Sequence, residues 1–148
     1  MGHNGITGRP QSESAFTRWF CDRLRRVNAI TVAFVGGEMQ QAGLPDRYVC
    51  HTCVRGWLEF KRGDRSTTPQ QWKFMSDITK RGDTALIVRL DHTDWVRFEA
   101  VATHYSIKRG AVLAQLDYKL LKALGDPGAG LKILAAFCEA QSKMKESL

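Results

Sequence analysis

The sequence predicts an α/β fold in which a central mixed β-sheet is flanked by helices and followed by a helical C-terminal extension. Three observations carry that expectation: apolar residues recur at helical spacing over residues 16–27, period-two alternation replaces it over 57–61, and the same helix-then-strand order returns over 69–90. At 148 residues the chain makes one domain, since a chain of this size buries roughly two-thirds of its unfolded surface. The expected organisation is a flexible tail over 1–11, a core over 12–100 and a helical extension over 101–148 that packs on the core or on a second subunit.

Each element follows from local chemistry. Ser12 or Ser14 can cap a helix running to about Arg26, with Phe16, Phe20, Leu24 and Val27 as its apolar stripe. Residues 30–35 form a continuous apolar run closed by Gly36-Gly37, which suits a central strand, and residues 38–43 form a polar loop leading to Pro45. Residues 47–53 have strand composition, and in 57–61 Leu58 and Phe60 face one side while Glu59 and Lys61 face the other. Thr67 or Thr68 before Pro69 starts a helix whose face is Gln71, Phe74, Met75 and Ile78, and Gly82 stops it. Residues 84–90 are strand-like, and His92-Thr93-Asp94 turns the chain into 95–100 as a second hairpin. Residues 101–110 are ambiguous and 112–124 look helical. After the break at 125–128, a last helix to about Lys145 buries Leu131, Leu134, Ala135 and Cys138.

Charge narrows the partners. Lys plus Arg number 22 against 15 acidic residues, a net charge of +7 and a pI near 9.5, which favours a polyanion, with nucleic acid the leading candidate. The polar, Gly-rich start carries no apolar signal region, and no run approaches the roughly 18 apolar residues of a membrane span, so a cytoplasmic protein without membrane association is expected. Four cysteines occur, and only Cys50 and Cys53 form a C-x-x-C pair. A structural zinc site needs four ligands, which Cys21, Cys138 or His51 would have to complete in space; reduced thiols at a hairpin tip are the simpler reading.

The chemistry concentrates between Gly43 and Gln71. If 47–53 and 57–61 form a hairpin centred near Cys53, paired positions sum to about 106 and Asp46 falls opposite Phe60, between Glu59 and Lys61. Two carboxylates brought that close repel one another unless a cation sits between them, and Mg²⁺ or Mn²⁺ is the economical occupant. Glu13, three residues before Phe16, is either a first-turn residue favoured by the helix dipole or a carboxylate pointing into the same site. Taken alone, Glu59 and Lys61 would be a same-face ion pair worth ~0.2–1 kcal/mol, Asp46 a turn residue and Gln71 a helix residue with a local partner.

The ordered set is more specific than any member. Helix, strand, Gly43-x-Pro45-Asp46, Glu59-x-Lys61, Thr67-Thr68-Pro69-x-Gln71 opening a helix, then a strand ending Ile87-Val88-Arg89 resembles the PD-(D/E)XK nuclease superfamily. Within it the pattern is similar to the VRR-NUC (virus-type replication-repair nuclease) family, over about Glu13 to Leu90. The resemblance implies a restriction-endonuclease-like core. It makes Asp46 and Glu59 metal ligands with the Phe60 backbone carbonyl, Lys61 the catalytic lysine, Gln71 the glutamine beside that lysine and the substrate phosphate, and Glu13 the first-helix carboxylate, a further possible metal ligand. Gln70 is the rival to Gln71 should the helix register differ.

The activity implied is Mg²⁺- or Mn²⁺-dependent phosphodiester hydrolysis leaving 5′-phosphate and 3′-hydroxyl ends. Stand-alone members resemble resolvases that cut branched DNA, four-way junctions above all, as homodimers. A less discriminating or end-directed nuclease and a non-catalytic DNA-binding scaffold are the competing readings. Basic residues at Arg23 and Arg26, at Arg62 and Arg65, and at Lys73 are the candidate DNA contacts, against the ordinary alternative of solvated faces. The C-x-x-C pair and everything after Leu90 fall outside the shared pattern.

Overall fold

The computed structural model describes residues 12–34, 43–101 and 107–146. Six strands lie in one sheet in sequential order: β1 (Ile30–Ala33), β2 (Arg47–Cys50), β3 (Arg55–Arg62), β4 (Ala85–Leu90), β5 (Trp95–Ala100) and β6 (Val112–Asp117). All neighbours are antiparallel except β3 and β4, which run parallel because helix α2 (Pro69–Lys80) carries the chain back between them. The other helices are α1 (Glu13–Arg25), α3 (Tyr118–Leu124) and α4 (Gly128–Glu146). The expected mixed sheet with flanking helices is therefore what the chain forms.

The two faces of the sheet differ. On one, Leu58, Phe60, Leu86, Val88 and Phe98 pack with Phe16, Phe20 and Leu24 of α1 and with Ile133 and Phe137 of α4. On the other, Ala85 and Ile87 pack with Met75 of α2, flanked by Trp57, Trp72 and Ile78. Strand alternation puts Leu58 and Phe60 into the larger core and so turns Glu59 and Lys61 toward α2. Both helices that matter for the site start on a side-chain cap. Ser12 accepts from Ala15 N, and Thr68 forms a full capping box with Gln71 behind Pro69.

Four sequence expectations change. The run over 30–35 forms a strand only as Ile30–Ala33, and it lies at the sheet edge rather than the centre, with Ile30 66% and Val32 44% exposed. An apolar run favours a strand but does not fix its place in the sheet. The remainder of that run, Gly36-Gly37 and most of the 38–43 loop lie outside the described residues, as do 102–106. The first hairpin is one residue out of the expected register, with Arg47 paired to Leu58, because His51 N donates to Val54 O and closes a turn around Thr52-Cys53 instead of centring on Cys53. Residues 112–124 are not one helix: Val112–Asp117 is the sixth strand, and Asp117 then caps α3 by accepting from Lys119 N and Leu120 N. Finally, α4 is rotated. Leu131 and Ala135 are exposed, and Ile133, Leu134, Phe137, Ala140 and Met144 are buried, since Phe137 and Ile133 fill the space above β5 and β6.

The C-terminal helix packs on α1 as well as on the sheet, and Gly130 sets how closely. A Cβ there would stand 2.3 Å from the Arg23 carbonyl oxygen, a backbone atom that cannot swing aside. Gly130→Ala should therefore lose about 1–3 kcal/mol in urea unfolding, the usual cost of overpacking. A loss below about 0.5 kcal/mol would show that the α1–α4 contact is slack.

Candidate active site

Glu59 is 2% exposed and Lys61 5%, unusual burial for two charged residues on one strand. Both are held. Glu59 Oε1 accepts from Asp46 N at 3.1 Å, and Oε2 accepts from Gln71 Nε2 at 2.7 Å and faces Lys61 Nζ at 3.3 Å. Asp46 reciprocates, its Oδ2 accepting from Phe60 N at 2.9 Å, so its side chain extends the β2–β3 ladder past the point where β2 begins. Gln71 closes the set. Its Oε1 accepts from Thr68 N at 3.1 Å and from Lys61 Nζ at 3.4 Å, so one amide caps α2 and orients both charged groups of β3.

The loop entering Asp46 is pinned against the same helix start. Gly43 has φ +86°, and a Cβ there would sit 2.5 Å from the Gln70 carbonyl oxygen, so this position requires glycine for conformation and for space. Gln70 itself is exposed, and Gln71 is the residue that reaches Glu59 and Lys61.

Burial, and next the charge of Asp46, push the Glu59 carboxyl up to about 7 from its ordinary 4.5, while Lys61 and the bond from Asp46 N pull it back only in part. Glu13 reaches the site from α1. It lines a cavity of about 220 Å³ together with Asp46, Thr17, Arg18 and Arg47, and its Oε2 pairs with Arg65 Nη1 at 3.0 Å. The same Glu13 borders a larger cleft of about 670 Å³ beyond it, which Arg62 and Arg65 also line.

The other expected DNA contacts lie elsewhere. Arg23 and Arg26 both pair with Asp126 at 3.1 Å, near the end of α1 opposite Glu13, and Lys73 pairs with Asp77 one turn along α2. Arg47 and Arg89 were not singled out from sequence for a site role, and Arg18 stood out only as one of the basic residues clustered on the first helix. Arg18 and Arg47 share the cavity with Asp46, and Arg47 also donates to the Asp46 carbonyl at 2.9 Å. Arg89 donates from Nε to both oxygens of Glu99 at 3.1 Å and from Nη1 to the Gly63 and Arg65 carbonyls at 2.9 Å each. For Arg89 the available signal was a single charge inside the otherwise apolar β4, which calls for a buried partner.

The C-x-x-C segment forms the hairpin turn. His51 Nδ1 accepts from Cys53 N and its Nε2 contacts the Val27 carbonyl, so the imidazole is occupied locally, and all four cysteines are free thiols. Among the described residues no group of three or more His, Cys, Asp or Glu is placed to hold a metal ion. The oxygen donors at the site are instead a carboxylate pair, Asp46 and Glu59, with Glu13 across the cavity. No helix among the described residues is long and apolar enough to cross a membrane.

No protein-family model matches the chain, and no curated protein does. Among solved structures it is similar to Hjc from Archaeoglobus fulgidus, described as a Holliday junction resolvase from an archaeal hyperthermophile. The TM-score is 0.49 and the identity 14%, over 80% of this chain and 98% of that one. A likeness of that degree assigns no activity here.

Because Glu59 binds its proton more tightly folded than unfolded, its contribution to stability is complete below about pH 4.5 and is lost as pH rises through about 7. In chelator, wild type should decline relative to Glu59→Gln across that window by something on the order of 3 kcal/mol in urea unfolding. Parallel pH profiles for the two proteins would show that the carboxylate is solvated after all.

Proposed function

We propose that this chain is a metal-dependent DNA endonuclease that hydrolyses phosphodiester bonds, with branched DNA such as the four-way junction as preferred substrate and a homodimer as the active form. The observation that carries the reading is the single hydrogen-bonded unit of buried Glu59 and Lys61 with half-buried Asp46 and Gln71 at the β2–β3–α2 junction, opening through Asp46 onto a cavity that Arg18 and Arg47 line. Branched DNA and the homodimer rest on the PD-(D/E)XK resemblance of the motif.

The donor set fits a hard divalent cation. Asp46 and Glu59 offer carboxylate oxygens; burial first and then the charge of Asp46 raise Glu59, and a cation would offset both, while among the described residues no cysteine or histidine lines the cavity beside Asp46. Asp46, Glu59 and the Phe60 carbonyl would hold Mg²⁺ or Mn²⁺, with Glu13 available across the cavity. When bound, the ion supplies a water of lowered pKa and neutralises charge building on the phosphate.

The remaining work falls to the chain. Lys61, kept in place by Glu59 and Gln71, sets a fixed ammonium beside the carboxylates, where it stabilises charge developing on a phosphoryl oxygen without reorganising during the reaction. Arg18 and Arg47 supply guanidinium donors that match a phosphate's paired oxygens. Gln71 acts through its neighbours. Turning its amide would break the bonds to Glu59, Lys61 and Thr68 together.

The test incubates wild type and Lys61→Ala with labelled four-way junction and matched linear duplex, in Mg²⁺ and in chelator. Junction nicking that chelator abolishes, and that Lys61→Ala lowers by at least about 10²-fold, is expected. Equal cutting of both DNAs would replace the junction reading with a less specific nuclease, and tight binding without cutting would favour a DNA-binding scaffold. Asp46→Asn and Glu59→Gln should each abolish cleavage while keeping or tightening DNA binding, because a negative charge facing phosphate is removed. Retained turnover in either would reject the site.

A further inference from the structure

We infer that the cleft beyond Glu13 binds the DNA strand flanking the scissile phosphate, with Arg62 and Arg65 on its phosphates and His92 as the far wall against a nucleotide. The inference rests on the nuclease reading of the neighbouring cavity and extends it from the reacting phosphate to the strand that leads away from it.

Continuity is the first argument. Glu13 lines both spaces, so the larger cleft adjoins the cavity that holds Asp46, with the Glu13–Arg65 ion pair between them. At about 670 Å³ the cleft has ample room for a nucleotide, and a second space of about 420 Å³ continues past His92 toward Arg97. Size alone would not make it a site.

The second argument is that the cleft is preformed. The loop after β3 is fixed from behind by Arg89, which anchors the carbonyls of both Gly63 and Arg65 and is itself held by Glu99. Gly63 adopts φ +65°, and a Cβ added there would meet His92 Cε1 at 2.9 Å, so the loop and the β4–β5 turn are in contact across this glycine. Asp91 fixes that turn, its Oδ1 accepting from Thr93 N and Trp95 N. Two loops bolted to the sheet therefore hold His92 above Arg62 and Arg65, although the imidazole itself is largely exposed and faces Asp64 only at 3.9 Å.

An exchangeable ion pair is the third. The lining sets Glu13, Asp64 and Asp94 against Arg62 and Arg65, so its net charge does not select phosphate; Asp94 faces Lys119 at 3.9 Å, and Arg65 pairs with Glu13 from a side chain that is 70% exposed. A phosphate arriving in the cleft can take that guanidinium from Glu13. The carboxylate is then released toward the cavity that holds Asp46. Arriving strand and acidic site are in this way coupled through one ion pair.

The experiment measures binding by fluorescence anisotropy in chelator, and cleavage in Mg²⁺, on DNAs whose cut strand carries zero to four unpaired flanking nucleotides on either side. Wild type, His92→Ala, Arg62→Gln and Arg62→Lys are compared, with melting curves as the folding control. Wild type should bind DNA with a flank on one side about tenfold more tightly than flank-free DNA. His92→Ala should remove that gain while leaving flank-free binding within about twofold, and Arg62→Gln should remove it with the salt slope falling by about one, restored by Arg62→Lys. Flank dependence that survives both substitutions, or an equal loss on every DNA, would overturn the inference. Flank-dependent binding with no cleavage in any metal would uphold the cleft and reject the nuclease reading, and cleavage without flank dependence would do the reverse.

Discussion

Burying the Glu59 carboxylate is the constraint on which the rest of this structure depends. An ionised carboxylate taken from water without compensation costs several kcal/mol, and this one has almost no solvent contact. Its compensation comes from three different elements. The Asp46 backbone immediately precedes β2, the Gln71 amide sits in the first turn of α2, and Lys61 lies two residues along β3. Moving any one element by a single residue would remove one of the three donors that serve this buried carboxylate. That demand reinforces the hairpin register that the His51–Val54 turn sets and constrains the rotation of α2, because hydrogen bonds to a carboxylate tolerate smaller shifts than apolar contacts do.

The compensation is also incomplete. Glu59 remains raised despite a lysine 3.3 Å away, because burial outweighs the favourable contacts and Asp46 adds a second negative charge. Burial is what separates the arrangement from the solvated surface pair that Glu59 and Lys61 would make alone. Arg89 and Glu99 show the contrast on the next two strands. Arg89 Nε shares its bond between both Glu99 oxygens and Nη1 donates to two carbonyls, and the pair then serves to hold a loop.

What could be read from sequence follows the same division between local and distant causes. The caps at Ser12 and Thr68, the helix start at Pro69 and the outward turn of Glu59 and Lys61 depend on residues within a few positions, and they were legible. The edge position of β1 was not, since the apolar run Ile30–Ala33 contains nothing that says how many neighbours it will have. The hairpin slipped by one because the turn at Thr52-Cys53 is set by one backbone bond, His51 to Val54, and one residue is enough to move Asp46 from Phe60 to Glu59. Residues 112–117 read as helix because Leu113, Leu116 and Leu120 repeat at helical spacing. Asp117 and its cap decided otherwise. The membership of Asp46, Glu59, Lys61 and Gln71 in one group was legible only through their conjunction, whereas Arg18 and Arg47 required the packing of α1 against β2 to be known.

Net charge misleads in the same way. A charge of +7 is a property of the whole chain, but exposed charges act over roughly a Debye length, about 8 Å at physiological salt, so only position decides which cations meet a phosphate. Arg23 and Arg26 look equivalent to Arg18 along the sequence of α1, yet they converge on Asp126 and contribute to tying α1 to the start of α4. Arg18, one turn nearer the N-terminus, shares a cavity with Asp46. Gly130 sharpens the point, for it lets the α4 backbone approach Arg23, placing that end of α1 in the structural half of the molecule. The helix is thus divided along its length. Its first turn and a half faces the acidic site and its last turn fastens the C-terminal helix, so a basic surface averaged over α1 would assign to DNA two arginines whose partner is an aspartate of the same chain.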